Sequence, residues 1–239
     1  MPKIITTSWD DGHPKDFLIN ELLDKYNLKG TFYIPRTNPE NEVMNEVQIQ
    51  LIAKNNEIGG HTLNHVNLTD LNLKDMDTEV LGCYHWQKGM LGIDPVSFCF
   101  PRGAYNAEVI NCISRAGFKI ARTTELLSVL PYTHNNLLAT TIQVYEHKSI
   151  TYYKHLIKRS RFNNLLWWMQ SASGTDLLKM TDYYITRIIK HDGCFHLWGH
   201  SWEIEKYGLW NKLELIFKHI SGLNEFNYFW NREVVGVMK

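Results

Sequence analysis

The segment Thr6-Thr7-Ser8-Trp9-Asp10-Asp11-Gly12 places two adjacent carboxylates at the end of an apolar stretch that begins at Ile4. The stretch is typical of a buried strand, and successive side chains of a strand point in opposite directions. We therefore expect Asp10 and Asp11 to face different partners and to have different roles. Gly12 permits a sharp turn or a close approach of the backbone to a ligand. A polar turn after the strand would explain the same residues, because Asp and Gly both favour turns.

A pair of histidines follows a second short strand, Glu57-Ile58, within the segment Gly59-Gly60-His61-Thr62-Leu63-Asn64-His65. If this segment forms a helical turn, side chains four residues apart share one face and both imidazoles can bind one ion. Two histidines and one aspartate supply three metal ligands and leave a further position open. That arrangement is typical of catalytic metal sites, whereas structural sites have four protein ligands.

These motifs resemble those of a known family. Ser8-Trp9-Asp10-Asp11-Gly12 is similar to the Thr-Phe-Asp-Asp-Gly motif of the polysaccharide deacetylases, also called the NodB-homology group or carbohydrate esterase family 4. The segment 61–65 is similar to their His-Ser/Thr-x-x-His motif, 29–34 resembles their second strand, and 98–103 resembles their third motif. The motifs occur in the order of the family, and the resemblance spans most of residues 3–125.

The resemblance implies a role for each motif residue. Asp11, His61 and His65 would bind one divalent metal ion, with zinc as the first expectation, although Co, Ni or Fe also accept nitrogen and oxygen ligands. Asp10 would be the catalytic base. The reaction implied is the removal of an acetyl group from an N-acetylated sugar.

The third motif departs from the family. Cys99 stands where the family has an arginine that contacts the catalytic aspartate, and Arg102 stands where the family has a tyrosine. The backbone N–H at position 102 could still stabilise an oxyanion, because that contact needs no particular side chain. The Arg102 side chain could restore the missing positive charge, bind an anionic group of the substrate, or pair with a surface acid.

A late segment, 195–203, contains two more histidines. His200-Ser201-Trp202-Glu203 resembles a His-Pro-Trp-Glu motif of some family members, and it predicts His200 as the catalytic acid and Trp202 as a substrate-binding residue. His196 has the same strand parity as His200, but only His200 lies at the carboxyl end of the predicted strand. We therefore expect His196 to be a core residue. Asp176 and Asp182 are the candidates for an aspartate that tunes the acid.

Predicted strands alternate with amphipathic helices along the whole chain, which indicates parallel βαβ units. About seven such units favour a (β/α) barrel, and the resemblance implies an α/β fold, the distorted, incomplete (β/α) barrel of about seven strands found in this family. We expect residues 1–239 to form a single domain. Active sites of such barrels lie at the carboxyl ends of the strands, which is where the predicted site residues fall. Predicted strands cover 3–9, 30–34, 97–100, 118–122, 139–145 and 194–199, and predicted helices cover 73–90, 107–116, 151–170, 176–190 and 209–221.

Composition excludes several other classes of protein. The 25 basic residues equal the 25 acidic ones, so the chain lacks the basic excess of a nucleic-acid-binding protein. No apolar run approaches the roughly 20 residues of a membrane span. The start Met1-Pro2-Lys3 leaves no room for a signal peptide, so we expect a cytoplasmic protein. Four cysteines without Cys-x-x-Cys spacing are expected to be reduced, buried thiols.

Three functions are compatible with these residues. The first is metal-dependent N-deacetylation of an amino sugar or glycan, on an intracellular precursor or a surface-polysaccharide intermediate. The second is hydrolysis of another C–N amide, as in related hydrolases of the same superfamily. The third is glycan binding without catalysis, which the cysteine at position 99 suggests. A pure binding protein would have no use for Asp10, so the first function is favoured.

Overall fold

A single parallel sheet organises the chain in the computed structural model, which describes residues 2–130 and 136–237. Eight strands follow the order β6-β5-β4-β3-β2-β1-β8-β7, and β9 pairs with β1 outside this path. No pairing between β6 and β7 closes the path within the described residues. This open barrel confirms the predicted fold class. The strands are β1 Lys3–Asp10, β2 Gly30–Ile34, β3 Glu57–Gly60, β4 Ser97–Cys99, β5 Ile120–Arg122, β6 Leu137–Leu138, β7 Ile142–Gln143, β8 Gly193–Gly199 and β9 Asn227–Tyr228.

Ten helices connect and cover the strands in the described part of the chain. They are α1 Asp16–Lys25, α2 Glu46–Ile52, α3 Leu73–Leu91, α4 Ala107–Ala116, α5 Ser149–Lys158, α6 Phe162–Gln170, α7 Leu177–His191, α8 Ser201–Lys206, α9 Trp210–Ile220 and α10 Asn231–Val237. A three-residue 3₁₀ turn also forms at Leu68–Asp70, and another at Pro101–Gly103.

The strand β1 lies near the middle of the sheet, with β2 on one side and β8 on the other. Asp10 is in register with Tyr33 of β2, and Thr6 is in register with His196 of β8. Residues of β1 from Ile4 onward are buried, as expected for a parallel strand covered on both faces. Because all pairings are parallel, the carboxyl ends of the strands meet at one end of the barrel.

The largest apolar core lies between the sheet and the surrounding helices. Trp9 of β1 packs edge-to-face on Phe217 of α9, with ring centroids 5.9 Å apart. A second cluster surrounds Phe98 of β4 and joins α3 to α4. All four cysteines are buried and form no disulfide bonds. None of the described helices has the length and apolar character required to cross a bilayer.

The structure differs from several of the predicted elements. The predicted helix over 151–170 is two helices, separated at Ser160, whose φ of 54° is not helical. The predicted strand over 139–145 is reduced to Ile142–Gln143. The strands β6 and β9 have two residues each, which is too short to produce a detectable alternation of apolar and polar residues.

Candidate active site

Asp10 and Asp11 face different partners at the carboxyl end of β1. Asp10 is the last residue of the strand, and Asp11 takes a φ of 79°, in the left-handed region. Asp11 Oδ1 lies 3.4 Å from His61 Nε2 and 3.1 Å from His65 Nε2. Asp10 Oδ2 instead faces Arg122 and His200. The expected divergence is therefore present, but Asp11 lies beyond the strand, so its left-handed backbone rather than strand alternation turns the two side chains apart.

Asp11, His61 and His65 form a buried group whose ligand atoms lie within 4.8 Å of one another. The Nδ1–H of His61 has the backbone oxygen of Cys99 at 2.8 Å, which leaves Nε2 free to act as a ligand. Such a hydrogen bond to the outer nitrogen is the usual way in which a protein orients a metal-binding imidazole. One carboxylate and two imidazoles, pre-oriented and buried, fit a divalent transition-metal ion.

The two histidines are not on a helical turn, contrary to our expectation. Residues 61–65 form a loop after β3, in which Thr62 has a φ of 61° and His65 a φ of 53°. These two left-handed residues bend the chain back toward Asp11, so the imidazoles converge without a helix. Glu79 of α3 fixes the loop by accepting hydrogen bonds from the backbone N–H groups of Leu63 and Asn64, at 3.0 and 2.9 Å.

Asp11 is held as a carboxylate. Burial alone would raise its pKa, but hydrogen bonds from His61 and His65 lower the pKa well below the usual range of an aspartate. The remaining oxygen, Oδ2, accepts a hydrogen bond from Trp202 Nε1 at 2.8 Å. Trp202 thus orients Asp11, and its contact with a substrate stays a prediction.

Asp10 pairs with a buried arginine that none of the sequence motifs predicts. Arg122, at the end of β5, is fully buried and forms an ion pair with Asp10 Oδ2. Its guanidinium also lies 4.4 Å from the ring centroid of Trp198. Cys99 Sγ lies 3.7 Å from the same Asp10 oxygen, and burial raises the pKa of the Cys99 thiol well above its usual value, so that the neutral S–H can donate.

An arginine at the end of an otherwise apolar strand was the signal that could have identified Arg122. Ile120 and Ala121 precede it, and all three residues of β5 are buried. Arginine is almost never fully buried unless it is paired with an acid. The oxygen Oδ1 of Asp10 has no hydrogen-bond partner among the described residues, which leaves it available to a water or a substrate.

Arg102 does not supply the positive charge next to Asp10. Its Nη2 lies 2.7 Å from Glu40 Oε1, and both side chains are exposed. Of the three roles considered for Arg102, the structure shows the ion pair with a surface acid. This pair lies at the edge of the cleft, where contact with a substrate stays a prediction.

His200 follows β8 directly and lies on the Asp10 side of the site. Its Nε2 is 3.9 Å from Asp10 Oδ2, and its Nδ1 is 3.2 Å from Glu203 Oε2. Burial alone would lower the pKa of His200, but the hydrogen bond to Glu203 and the charges of Asp11 and Asp10 raise it to about 9. A protonated imidazole is therefore held next to the carboxylates.

The acid that contacts the outer nitrogen of His200 is Glu203, not Asp176 or Asp182. Both candidates were wrong: Asp176 caps α7 by accepting from the N–H groups of Leu178 and Lys179, and Asp182 lies 3.6 Å from His219. Glu203 stands three residues after His200, so it lies on the first turn of α8. Gln143 Nε2 donates to Glu203 Oε2 at 3.1 Å.

His196 is separate from this group. It lies inside β8, where its Nε2 is 2.8 Å from Ser8 Oγ, and it is fully enclosed. Burial and the charge of Arg122 lower the pKa of His196 well below its usual value, so its imidazole is neutral.

A cleft of about 540 Å³ opens above these residues. Its walls combine the charged groups of the site with aromatic surface and with backbone from the 3₁₀ turn after β4. Indole and phenyl rings next to polar groups suit the faces and hydroxyls of a sugar ring. The lining comprises Asp10, Asp11, Glu40, Asn41, His61, His65, Phe100, Arg102, Gly103, Thr124, Trp198, His200 and Trp202.

Two comparisons of sequence support one assignment. The sequence model of the family described as "Polysaccharide deacetylase" matches residues 1–121. The Bacillus subtilis (strain 168) protein named "Putative polysaccharide deacetylase YxkH" is 25% identical over 126 residues, which are 52% of this chain and 45% of that protein. The matched region thus spans less than half of the length of that relative.

Solved structures share the fold over nearly the whole chain. A "putative polysaccharide deacetylase from Mycobacterium smegmatis" has a TM-score of 0.67 at 14% identity, covering 99% of this chain and 90% of that one. A family 4 acetyl xylan esterase from Clostridium thermocellum, in complex with a cobalt ion, has a TM-score of 0.60 at 15% identity, covering 98% and 91%. At such identities the likeness concerns the fold alone. The sequence model, which covers half of the chain including Asp10, Asp11 and both loop histidines, shows that this protein belongs to the polysaccharide deacetylase family.

Proposed function

We propose that this protein is a metal-dependent hydrolase that removes the N-acetyl group from an amino sugar or glycan. One observation carries the proposal. The buried triad Asp11, His61 and His65 lies beside an aspartate with a free oxygen and a protonated histidine, Asp10 and His200, in a single cleft. Amide hydrolysis needs a base, an acid and an electrophile close together, and this cleft offers a candidate for each.

Asp11, His61 and His65 would hold the metal ion, with zinc the first candidate and Co, Ni or Fe as alternatives. A divalent metal bound there would polarise the amide carbonyl and lower the pKa of water. The cobalt ion in the Clostridium thermocellum esterase is consistent with such a site in a protein of this fold.

Asp10 would accept the proton of the attacking water through Oδ1, since Oδ2 is paired with Arg122. His200 would donate a proton to the departing amine, because an amine leaves poorly without one. The backbone N–H of Arg102, on the 3₁₀ turn that lines the cleft, is our candidate donor to the developing oxyanion. The products are acetate and a free amino sugar.

We further propose an intracellular precursor or a surface-polysaccharide intermediate as the substrate, with the protein in the cytoplasm. Acetate release can be compared between N-acetylated monosaccharide conjugates and long N-acetylated polymers. Faster release from the polymer at equal concentrations of acetyl groups would exclude a small precursor as the preferred substrate.

The central experiment combines metal content with turnover. Elemental analysis of purified protein should give one metal ion per chain, and the wild type should release acetate from N-acetylated sugar oligomers. The variant Asp11→Ala should lose both the metal and the activity. Full metal occupancy in that variant would exclude Asp11 as a ligand.

The matched variant Asp10→Asn separates the base from the ligands. It should retain the metal and lose activity by roughly 10²–10⁴-fold. Loss of the metal from Asp10→Asn to the same extent as from Asp11→Ala would show that the two aspartates have been assigned in the wrong order. Sugar binding without acetate release by the metal-loaded wild type would instead support a glycan-binding protein.

A further inference from the structure

The hairpin formed by α5 and α6 has a charge pattern unlike that of the rest of the chain. Residues 148–170 contain five basic side chains and no aspartate or glutamate, although the whole chain has equal numbers of basic and acidic residues. We call residues 148–170 the basic hairpin. Its basic residues are Lys148, Lys154, Lys158, Arg159 and Arg161.

Each helix of the basic hairpin exposes a row of large apolar side chains. Their spacing, i, i+3, i+7 on α5 and i, i+4, i+7 on α6, places each row on one face of its helix. Every one of these six side chains is at least 40% exposed, which is unusual for so many neighbours in sequence. The rows are Ile150, Tyr153 and Ile157 on α5, and Phe162, Leu166 and Met169 on α6.

The exposed rows are not the faces by which the hairpin attaches to the protein. Tyr152 and Leu156 of α5 are buried in the main core, and Trp167 and Trp168 of α6 pack against that core. The exposed rows are therefore second apolar faces, which remain after the helices have buried their first.

Four of the five cations are free to interact with a partner. Arg161 pairs with the buried carboxylate of Glu125 and anchors the hairpin. The other four, Lys148, Lys154, Lys158 and Arg159, form no ion pair with a carboxylate of the described residues. On the helical wheel of α5, Lys154 and Lys158 fall next to the row Ile150, Tyr153 and Ile157. On α5, apolar groups and uncompensated cations thus occupy one surface.

We propose that the basic hairpin docks this protein on the surface of a bilayer that contains anionic phospholipid. Anionic headgroups match the free cations, and the layer just beneath them accepts the apolar rows. A second copy of this chain would place one set of uncompensated cations against another, so it is a poor partner for the same surface. The proposal does not depend on the proposed enzymatic function.

The docking surface is connected to the candidate active site through a short segment of chain. Gln143, the last residue of β7, donates to Glu203, the partner of His200, and α5 begins six residues later. An extended chain spans at most about 3.3–3.6 Å per residue, so docking by the hairpin would hold Gln143 within roughly 25 Å of the bilayer surface. Such a position suits an acetylated sugar that is carried on a lipid.

The test is flotation of the protein with two kinds of vesicle. One is phosphatidylcholine alone, and the other contains about 30% phosphatidylglycerol as the anionic lipid. We expect binding to the anionic vesicles, weak or no binding to the neutral ones, and a decrease as salt is raised from about 0.05 to about 0.5 M. Equal binding to both kinds of vesicle, or none to either, would overturn the proposal.

Two pairs of variants separate this surface from general charge and hydrophobicity. Lys154→Glu/Lys158→Glu should weaken partitioning by at least about 25-fold, taking about fivefold for each cation near an anionic surface. The matched control is Lys54→Glu/Lys74→Glu, which makes the same change of net charge at exposed residues outside the hairpin. Leu166→Ser/Met169→Ser should also weaken binding, whereas Val47→Ser/Leu81→Ser, at exposed apolar residues elsewhere, should not.

Each variant is checked for its melting temperature, and sedimentation velocity is measured with and without vesicles. Equal losses in a hairpin pair and its control would overturn the assignment of the surface. A dimer in solution that the hairpin variants dissociate would identify a second copy as the occupant and would overturn the bilayer proposal. Turnover of a soluble sugar should be unchanged in all hairpin variants, so a failure of docking is distinguishable from a failure of the proposed activity.

Discussion

Asp10 keeps a cationic neighbour even though the third motif lacks its arginine. Cys99 of β4 and Arg122 of β5 are direct partners in the parallel ladder, so their side chains are neighbours on one face of the sheet. The small thiol leaves the space that the guanidinium of Arg122 occupies, and both groups contact the same oxygen of Asp10. The positive charge next to Asp10 thus comes from β5 instead of β4.

Removal of Arg122 should therefore take from the buried Asp10 carboxylate its ion pair with arginine. Methionine has a volume similar to that of arginine, and Arg122→Met should lower the free energy of unfolding by about 3–5 kcal/mol, since the buried Asp10 would lose its ion pair and keep only the more distant Cys99 and His200. Adding Asp10→Asn to this variant should recover much of the loss. Chemical denaturation of the wild type, both single variants and the double variant measures the coupling between the residues. Additive effects would show that Arg122 and Asp10 do not stabilise one another.

The pKa of His200 gives a dependence of stability on pH. The pKa is raised from 6.5 to about 9 in the folded, metal-free protein, so the folded state binds a proton more tightly than the unfolded one. The resulting stabilisation is fully present below pH 6.5 and is lost as the pH rises through 9. The difference in melting temperature between wild type and His200→Ala, both treated with chelator, should thus decrease from pH 6 to pH 10. A difference that stays constant from pH 6 to pH 10 would contradict this assignment of the proton to His200.

Site residues that belong to a short sequence motif could be predicted. Site residues that reach the cleft only through the pairing of distant strands could not. Asp10, Asp11, His61 and His65 each belong to a short motif whose spacing indicates its chemistry, and the structure brings all four together. Arg122 reaches the site only because β5 pairs with β4, and this pairing is not visible in a single sequence. Glu203 lay within the quoted segment, but its role depends on α8 starting immediately after His200.

At the scale of single elements, the packing of β3 between its neighbouring strands requires glycine at position 59. A Cβ at Gly59 would lie 2.5 Å from Tyr33 Cε1 and 2.6 Å from Ser97 Oγ, which belong to the strands on either side. Neither neighbour can move easily, because both are buried in the sheet. Gly59 therefore permits the close packing of β2 and β4 over the strand that leads to His61.

The substitution Gly59→Ala should lower the free energy of unfolding by about 1–3 kcal/mol through overpacking. The matched control is Gly89→Ala in α3, where nothing lies within 4 Å of the new methyl group. There the better helix propensity of alanine should raise stability by about 0.5–1 kcal/mol. Thermal unfolding compares the two variants, and shifts of the same sign would contradict the packing argument.

Helices with a clear apolar period were predicted with the most accurate bounds. The helix over 107–116 has the predicted bounds, and α3 extends one residue past its prediction, because both are long enough to show a helical period. The helix α8 and the strands β6 and β9 were missed, since two to six residues carry almost no periodic signal. Their positions depend on tertiary pairing, which is why the site residues that they place, such as Glu203, were also missed.

At the scale of the whole molecule, a buried polar network connects the first strands of the sheet to α10. Asn231, the first residue of α10, is fully buried. Its Oδ1 accepts from Thr6 of β1 at 2.6 Å, its Nδ2 donates to Tyr33 Oη at 2.8 Å, and its backbone N–H donates to Thr31 Oγ1 at 3.0 Å. The network continues to Glu57 of β3, which accepts from Thr31 and from Ser97 of β4. Four neighbouring strands are thereby connected to the C-terminal helix.

The replacement of Asn231 by leucine should show how much this network contributes to stability. The leucine has a similar volume, but it leaves Thr6 Oγ1 and Tyr33 Oη buried without their partner. Each of the two unsatisfied groups costs about 1–3 kcal/mol, so the free energy of unfolding should fall by about 2–6 kcal/mol. For a domain of this size, the melting temperature should fall by roughly 2–4 °C for each kcal/mol. The control is Asn227→Ala, at an exposed residue of β9, where the change should stay within about 0.5 kcal/mol. Equal stability of the two variants would mean that α10 is held by its apolar contacts alone, and that the polar network has no net effect on the folded state.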